Sequence, residues 1–111
     1  MKLISILKEI KVTPPFTFTT IEQLEKHILL YPAYKQDLVS AIYDAADLAN
    51  DDYFAGIKQD IIDGEVYNIE DGTLAIYSDG GALLISLEPY ADTSEGSLQF
   101  RGNTFYYGLD A

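Results

Sequence analysis

His27 is the single histidine of the chain, and there is no cysteine at all. One imidazole cannot by itself make a catalytic triad or a two-histidine metal site, and a thiolate zinc site is excluded. His27 has Gln23, Leu24 and Leu30 as helical neighbours, the setting of an ordinary, partly exposed helix histidine. No nucleophile elbow, Walker loop, dinucleotide fingerprint or His-Glu-x-x-His occurs. Asp79-Gly80-Gly81 joins two strand candidates and does not open a helix, so it reads as a turn and not as a phosphate loop.

Carboxylates are the abundant chemical groups. Paired acids serve glycosidases, and clustered acids with glycine at a fixed offset bind calcium. Neither pattern is met. Asp47 to Asp52 lacks the glycine of a calcium loop, and in Asp92-Thr93-Ser94-Glu95-Gly96 the glycine comes one place early. Tryptophan, a common sugar platform, is absent. The expectation is therefore a protein with no catalytic residues, no metal and no cofactor.

What the acids do show is a one-sided arrangement. On a helix over residues 34–49 and its continuation, Asp37, Asp44, Asp47 and Asp51 fall within an arc of about 80°. Like charges at these spacings repel and cost a helix a few tenths of a kcal/mol per pair. Asp52, Asp60 and Asp63 extend the acidity into the next helix. Such a row can present charge at spacings comparable to phosphates on a nucleic-acid strand; a solvated helix face would look the same. Tyrosines form the second feature. Tyr67, Tyr77, Tyr90, Tyr106 and Tyr107 all lie in the C-terminal half. Tyr106 and Tyr107 are neighbours on one strand and must point to opposite faces, which leaves one of them exposed. The candidate partner-binding residues are thus Asp37, Asp44, Asp47, Asp51, Asp52, Asp60, Asp63, Tyr106 and Tyr107.

The elements that must position these residues follow from hydrophobic period and breakers. Leu3, Ile6, Leu7 and Ile10 mark one helical face over residues 2–11, ended by Thr13-Pro14-Pro15. Thr20-Ile21-Glu22-Gln23 fits a capping box, opening a second helix that runs to Tyr31-Pro32. A third helix covers 34–49. Asn50-Asp51-Asp52 is a polar break that can cap a fourth, over 53–63, with Gly64 as its stop. After Gly64 the period becomes two. Strands are expected at 66–69, 73–77, 82–87, 98–100 and 104–107, with turns at Glu70-Asp71-Gly72, Ser78-Asp79-Gly80-Gly81 and Arg101-Gly102-Asn103. The expected fold class is α+β: about four N-terminal helices packed on one face of a C-terminal antiparallel meander sheet of four to five strands, forming one domain over residues 1–111.

Charge bounds the function. The net charge is −11 over 111 residues. Residues 1–35 carry five Lys and three Glu, whereas residues 36–100 carry fourteen Asp or Glu against Lys58 alone. This field repels nucleic acid and anionic lipid and attracts a basic protein; it also serves solubility. Met1 to Glu9 opens like a signal peptide, but Lys8, Glu9 and Lys11 interrupt its apolar stretch. No apolar run approaches the roughly 20 residues of a membrane span. The expectation is a cytoplasmic, non-enzymatic acidic protein that binds a basic protein. It would act as a nucleic-acid mimic of the phage or plasmid counter-defence type or as an immunity-type protein. The alternative is a small enzyme or ligand-binding domain with a pocket between helices and sheet.

Overall fold

The computed structural model describes residues 17–70 and 72–110. The helix expected at 2–11, with its proline stop, lies outside the described residues. The described residues are α+β, helices first and then a five-stranded antiparallel sheet.

Thr20 caps α1 (Ile21–Leu30) through the expected box: the Gln23 amide donates to Thr20 Oγ1 at 3.3 Å, and the Thr20 amide donates to Gln23 Oε1 at 3.3 Å. Pro32 then opens α2 (Pro32–Ala45), in the first turn, where its missing N–H costs nothing. This helix stops short of the expected end at Ala49. Asp47 takes a left-handed backbone, φ 57°, and Leu48–Asn50 is a single 3₁₀ turn. The reason is local: Asn50 Nδ2 donates to Asp47 Oδ1 at 2.8 Å, a side-chain bond that competes with helical propagation. The helix expected at 53–63 is two short ones, α3 (Asp52–Gly56) and α4 (Lys58–Ile62), separated where Ile57 departs from helical angles after Gly56. Asp51 caps α3, accepting from the Tyr53 and Phe54 amides at 3.0 Å each.

The strands are β1 (Glu65–Glu70), β2 (Thr73–Ser78), β3 (Gly81–Ser86), β4 (Gly96–Phe100) and β5 (Asn103–Asp110). Their order is β1-β2-β3-β5-β4, all antiparallel. This corrects the expected meander: β5 enters between β3 and β4, leaving β4 at the edge. The sequence of β5 suits an inner position, because it is the longest strand and buries Phe105, Tyr107 and Gly108, whereas β4 leaves Ser97 and Gln99 exposed. The β4–β5 turn has positive φ at both Arg101 (48°) and Gly102 (86°), as a two-residue hairpin of the primed type requires.

Register pairs Leu74 with Ile85 and Ile76 with Leu83 on one sheet face. These four join Leu24, Ile28, Leu38, Ile42, Ile61 and Phe105 in one buried cluster. Each such side chain contributes about 1.5–3 kcal/mol on burial. The other face carries Ala75, Ala82 and Leu84. Gly108, opposite Leu84 and without a side chain, lets the turn at Ala91–Thr93 lie against this face, held where Ser86 Oγ and Thr93 Oγ1 share a hydrogen bond of 2.7 Å.

Candidate functional site

The chain turns from α4 into β1 at Gly64, where a side chain would collide with the Tyr77 carbonyl of β2. Helix and sheet edge are therefore in close contact, and the Lys35 ammonium holds the turn by donating to the Gly64 carbonyl at 2.6 Å. Burial lowers the Lys35 pKa, and the Asp63 carboxylate opposes that shift. Beside this junction lies an open groove of about 890 Å³. Asp60 of α4 and Asp63 at its C-terminal cap reach it, with Glu65, Tyr67, Asn68 and Ile69 from β1, and Tyr77, Ser78 and Asp79 from β2 and its turn. Among the described residues four carboxylates line it and no Lys or Arg does.

Two tyrosines give the groove an aromatic wall. Tyr67 and Tyr77 are exposed, at 46% and 38%, with ring centroids 5.2 Å apart. The Tyr67 hydroxyl donates to Glu65 Oε1, and this bond, with the negative charge of Glu65, raises the Tyr67 pKa. Gln59 Nε2 donates to Asp63 Oδ2 at 3.1 Å, fixing a second carboxylate. The groove thus offers oriented acceptors and aromatic faces, a combination suited to ammonium and guanidinium groups. Among the described residues no group of three or more His, Cys, Asp or Glu is placed to hold a metal ion. No helix among them is long and apolar enough to cross a membrane.

The acidic row read along one helix does not exist as such, because α2 ends at Ala45. Asp37 and Asp44 are exposed on α2, with Asp37 paired to Arg101 at 2.6 Å. Asp47 sits in the left-handed break, Asp51 is engaged as a helix cap, and Asp52 lies exposed in the first turn of α3. Only Asp60 and Asp63 of the expected set meet in the groove. Of the tyrosine pair, Tyr107 is buried at 6% and Tyr106 half-buried, so neither is an open platform. Glu65, Tyr67, Ile69, Tyr77 and Asp79 were not among the expected site residues. The available signal was the alternation Glu65, Tyr67, Ile69, which puts these three on one side of a strand.

No protein-family model, no curated protein and no solved structure matches the chain.

Proposed function

We propose that this domain binds a basic protein through the groove between α4 and the β1–β2 edge. The observation that carries the reading is the groove's lining, which among the described residues holds four carboxylates and two exposed tyrosines and no basic residue. Lysine or arginine side chains of the partner meet carboxylates held by α4 and β1 and stack on Tyr67 and Tyr77. The −11 charge steers the encounter and repels nucleic acid and anionic membranes, so the partner is a protein met in the cytoplasm. The role is inhibitory or neutralising and not catalytic: the acidic surface competes with nucleic acid for a basic site, or covers a basic toxin.

The test is affinity capture with wild type and with Asp60→Asn/Asp63→Asn, at ionic strengths of about 0.1 M and about 1 M, where the Debye length falls from about 10 to about 3 Å. A specific partner is retained by wild type at low salt, released at high salt and lost from the variant. Added DNA displaces the domain if the partner is a nucleic-acid-binding protein. Capture that ignores both salt and the variant would overturn the reading.

A further inference from the structure

The groove has a neighbour. Ile69 and Tyr77 line both the groove and a second hollow of about 370 Å³. Asp92, Glu95 and Asp110 bring carboxylates to this hollow, again with no Lys or Arg among the described residues that line it. The wall between the two hollows is apolar and open to solvent, with Ile69 and Tyr77 each 38% exposed. The order across the sheet is therefore acidic, apolar, acidic. A protein-binding surface gathers aromatic and aliphatic anchors inside a polar rim, and the Ile69–Tyr77 wall between two acidic hollows has that form.

We propose that this sheet face takes an extended segment of a basic partner, with one apolar side chain on the Ile69–Tyr77 wall and a Lys or Arg in each flanking hollow. The inference rests on the proposed basic-protein binding and adds the pattern of the ligand. Charge complementarity fixes the two ends, and the exposed wall fixes the middle. In an extended segment every second side chain faces the surface, with about 6.6 Å between them. A basic-x-apolar-x-basic segment therefore sets its two basic side chains about 13 Å apart, with the apolar one midway. Two ion pairs alone would bind any basic chain; the apolar contact between them selects.

The probes are three blocked peptides: Ser-Arg-Ser-Leu-Ser-Arg-Ser, the same with Ser for Leu, and the same with Glu for both Arg. Binding is read from amide shifts of the isotope-labelled full chain. The leucine peptide should shift amides in 65–69 and in 92–95 together, and bind about tenfold tighter than the serine peptide, while the glutamate peptide shifts neither. Asp92→Asn/Asp110→Asn should weaken the leucine peptide as much as Asp60→Asn/Asp63→Asn does. Ile69→Ser should remove the preference for leucine and keep the residual charge attraction, and its dispersed spectrum shows that it is folded. Shifts confined to the first groove, with no effect of Asp92→Asn/Asp110→Asn, would overturn the two-hollow ligand and leave the acidic groove standing. Silence at both hollows would remove both readings. If these amides move on dilution and sedimentation shows a dimer, a second copy is the occupant and the proposal fails.

Discussion

The Tyr67 ring meets the Tyr77 ring edge-on, centroids 5.2 Å apart and planes at 71°. The two side chains stand on adjacent strands, Tyr67 opposite Ala75 and Tyr77 opposite Glu65, so they form a diagonal cross-strand pair. The Tyr67 hydroxyl bonded to Glu65 completes a row of three groups that hold one another in place. An exposed pair fixed in this way loses little side-chain freedom when a ligand arrives, which favours binding.

Tyr67 should ionise above the ordinary tyrosine value of about 10. Its first cause is the hydrogen bond to Glu65, which favours the neutral phenol, followed by the charge of Glu65. The folded pKa is raised, so the associated stabilisation is present below the unfolded value and is lost as pH rises through the folded one. Glu65→Gln removes the charge and should bring the Tyr67 titration down, as read by phenolate absorbance against a Tyr67→Phe control. An unchanged titration curve would show that the bond does not persist in solution.

Asp37 and Arg101 make an exposed pair, each 48% accessible. Such pairs contribute about 0–1 kcal/mol. Asp37→Asn should therefore lower stability by less than about 1 kcal/mol in urea titrations. Because Asp37 does not line the groove, the variant should also leave the partner's dissociation rate unchanged. Arg101 keeps a second anchor in either case, its guanidinium lying 4.9 Å from the Phe100 ring centroid.

Tyr34 is buried to 7% exposure, and its hydroxyl has no hydrogen-bond partner among the described residues. Burial pushes its pKa up to about 12, against the charge of Arg101, which lowers it. A buried, unsatisfied hydroxyl costs about 1–3 kcal/mol. Tyr34→Phe keeps the ring packed against Phe18, His27 and Phe100 and removes that cost. The variant should be as stable as wild type or more stable by about 1 kcal/mol. A loss greater than that in thermal unfolding would show that the hydroxyl is bonded after all.

Two glycines should respond in opposite directions to alanine. At Gly108 a Cβ would run into the Asp92 carbonyl, backbone against backbone, so Gly108→Ala should destabilise by about 1–3 kcal/mol. At Gly56, the last residue of α3, a Cβ has open space, and Gly56→Ala should stabilise by about 0.4–1 kcal/mol. Urea midpoints of the two variants settle both at once.

The fold was legible where local chemistry is strong. The Thr20–Gln23 box, the Pro32 boundary, the Asp51 cap and the change of period at Gly64 all have short-range causes. The end of α2 was not legible, because Ala45, Ala46, Leu48 and Ala49 are good helix formers, and the Asp47–Asn50 side-chain bond that competes with them does not show in hydrophobic period. The place of β5 depends on pairing with β3, which no turn signal encodes. The groove was hidden for a related reason. In β2 and β3 the run of Leu, Ile and Ala does not say which face is covered, so the exposed side of Tyr77 could not be read. Asp60 and Asp63 were identified by charge, but their companions Glu65 and Asp79 come from strands and turns that meet only in the fold.

The charge of the groove can be separated from the charge of the chain as a whole. Asp60→Asn/Asp63→Asn/Asp79→Asn removes three groove carboxylates. Asp44→Asn/Asp47→Asn/Asp52→Asn removes three exposed carboxylates that do not line the groove. Each variant raises the net charge from −11 to −8, three charges in either case. Both sets keep side-chain size, and stability should change by less than about 1 kcal/mol, since relief of repulsion is offset by the weaker bond to Asn50 in one set and by loss of the Asp63 charge beside Lys35 in the other. Long-range steering depends on total charge, and both variants should lose on-rate to a similar degree at low salt. Contacts in the bound complex depend on position, and the groove variant alone should show faster dissociation and a shallower salt dependence. Stopped-flow or surface-binding kinetics at two ionic strengths, with the captured partner, measure the two rates separately. Equal dissociation rates from the two variants would show that the chain binds through its overall field and not through the groove.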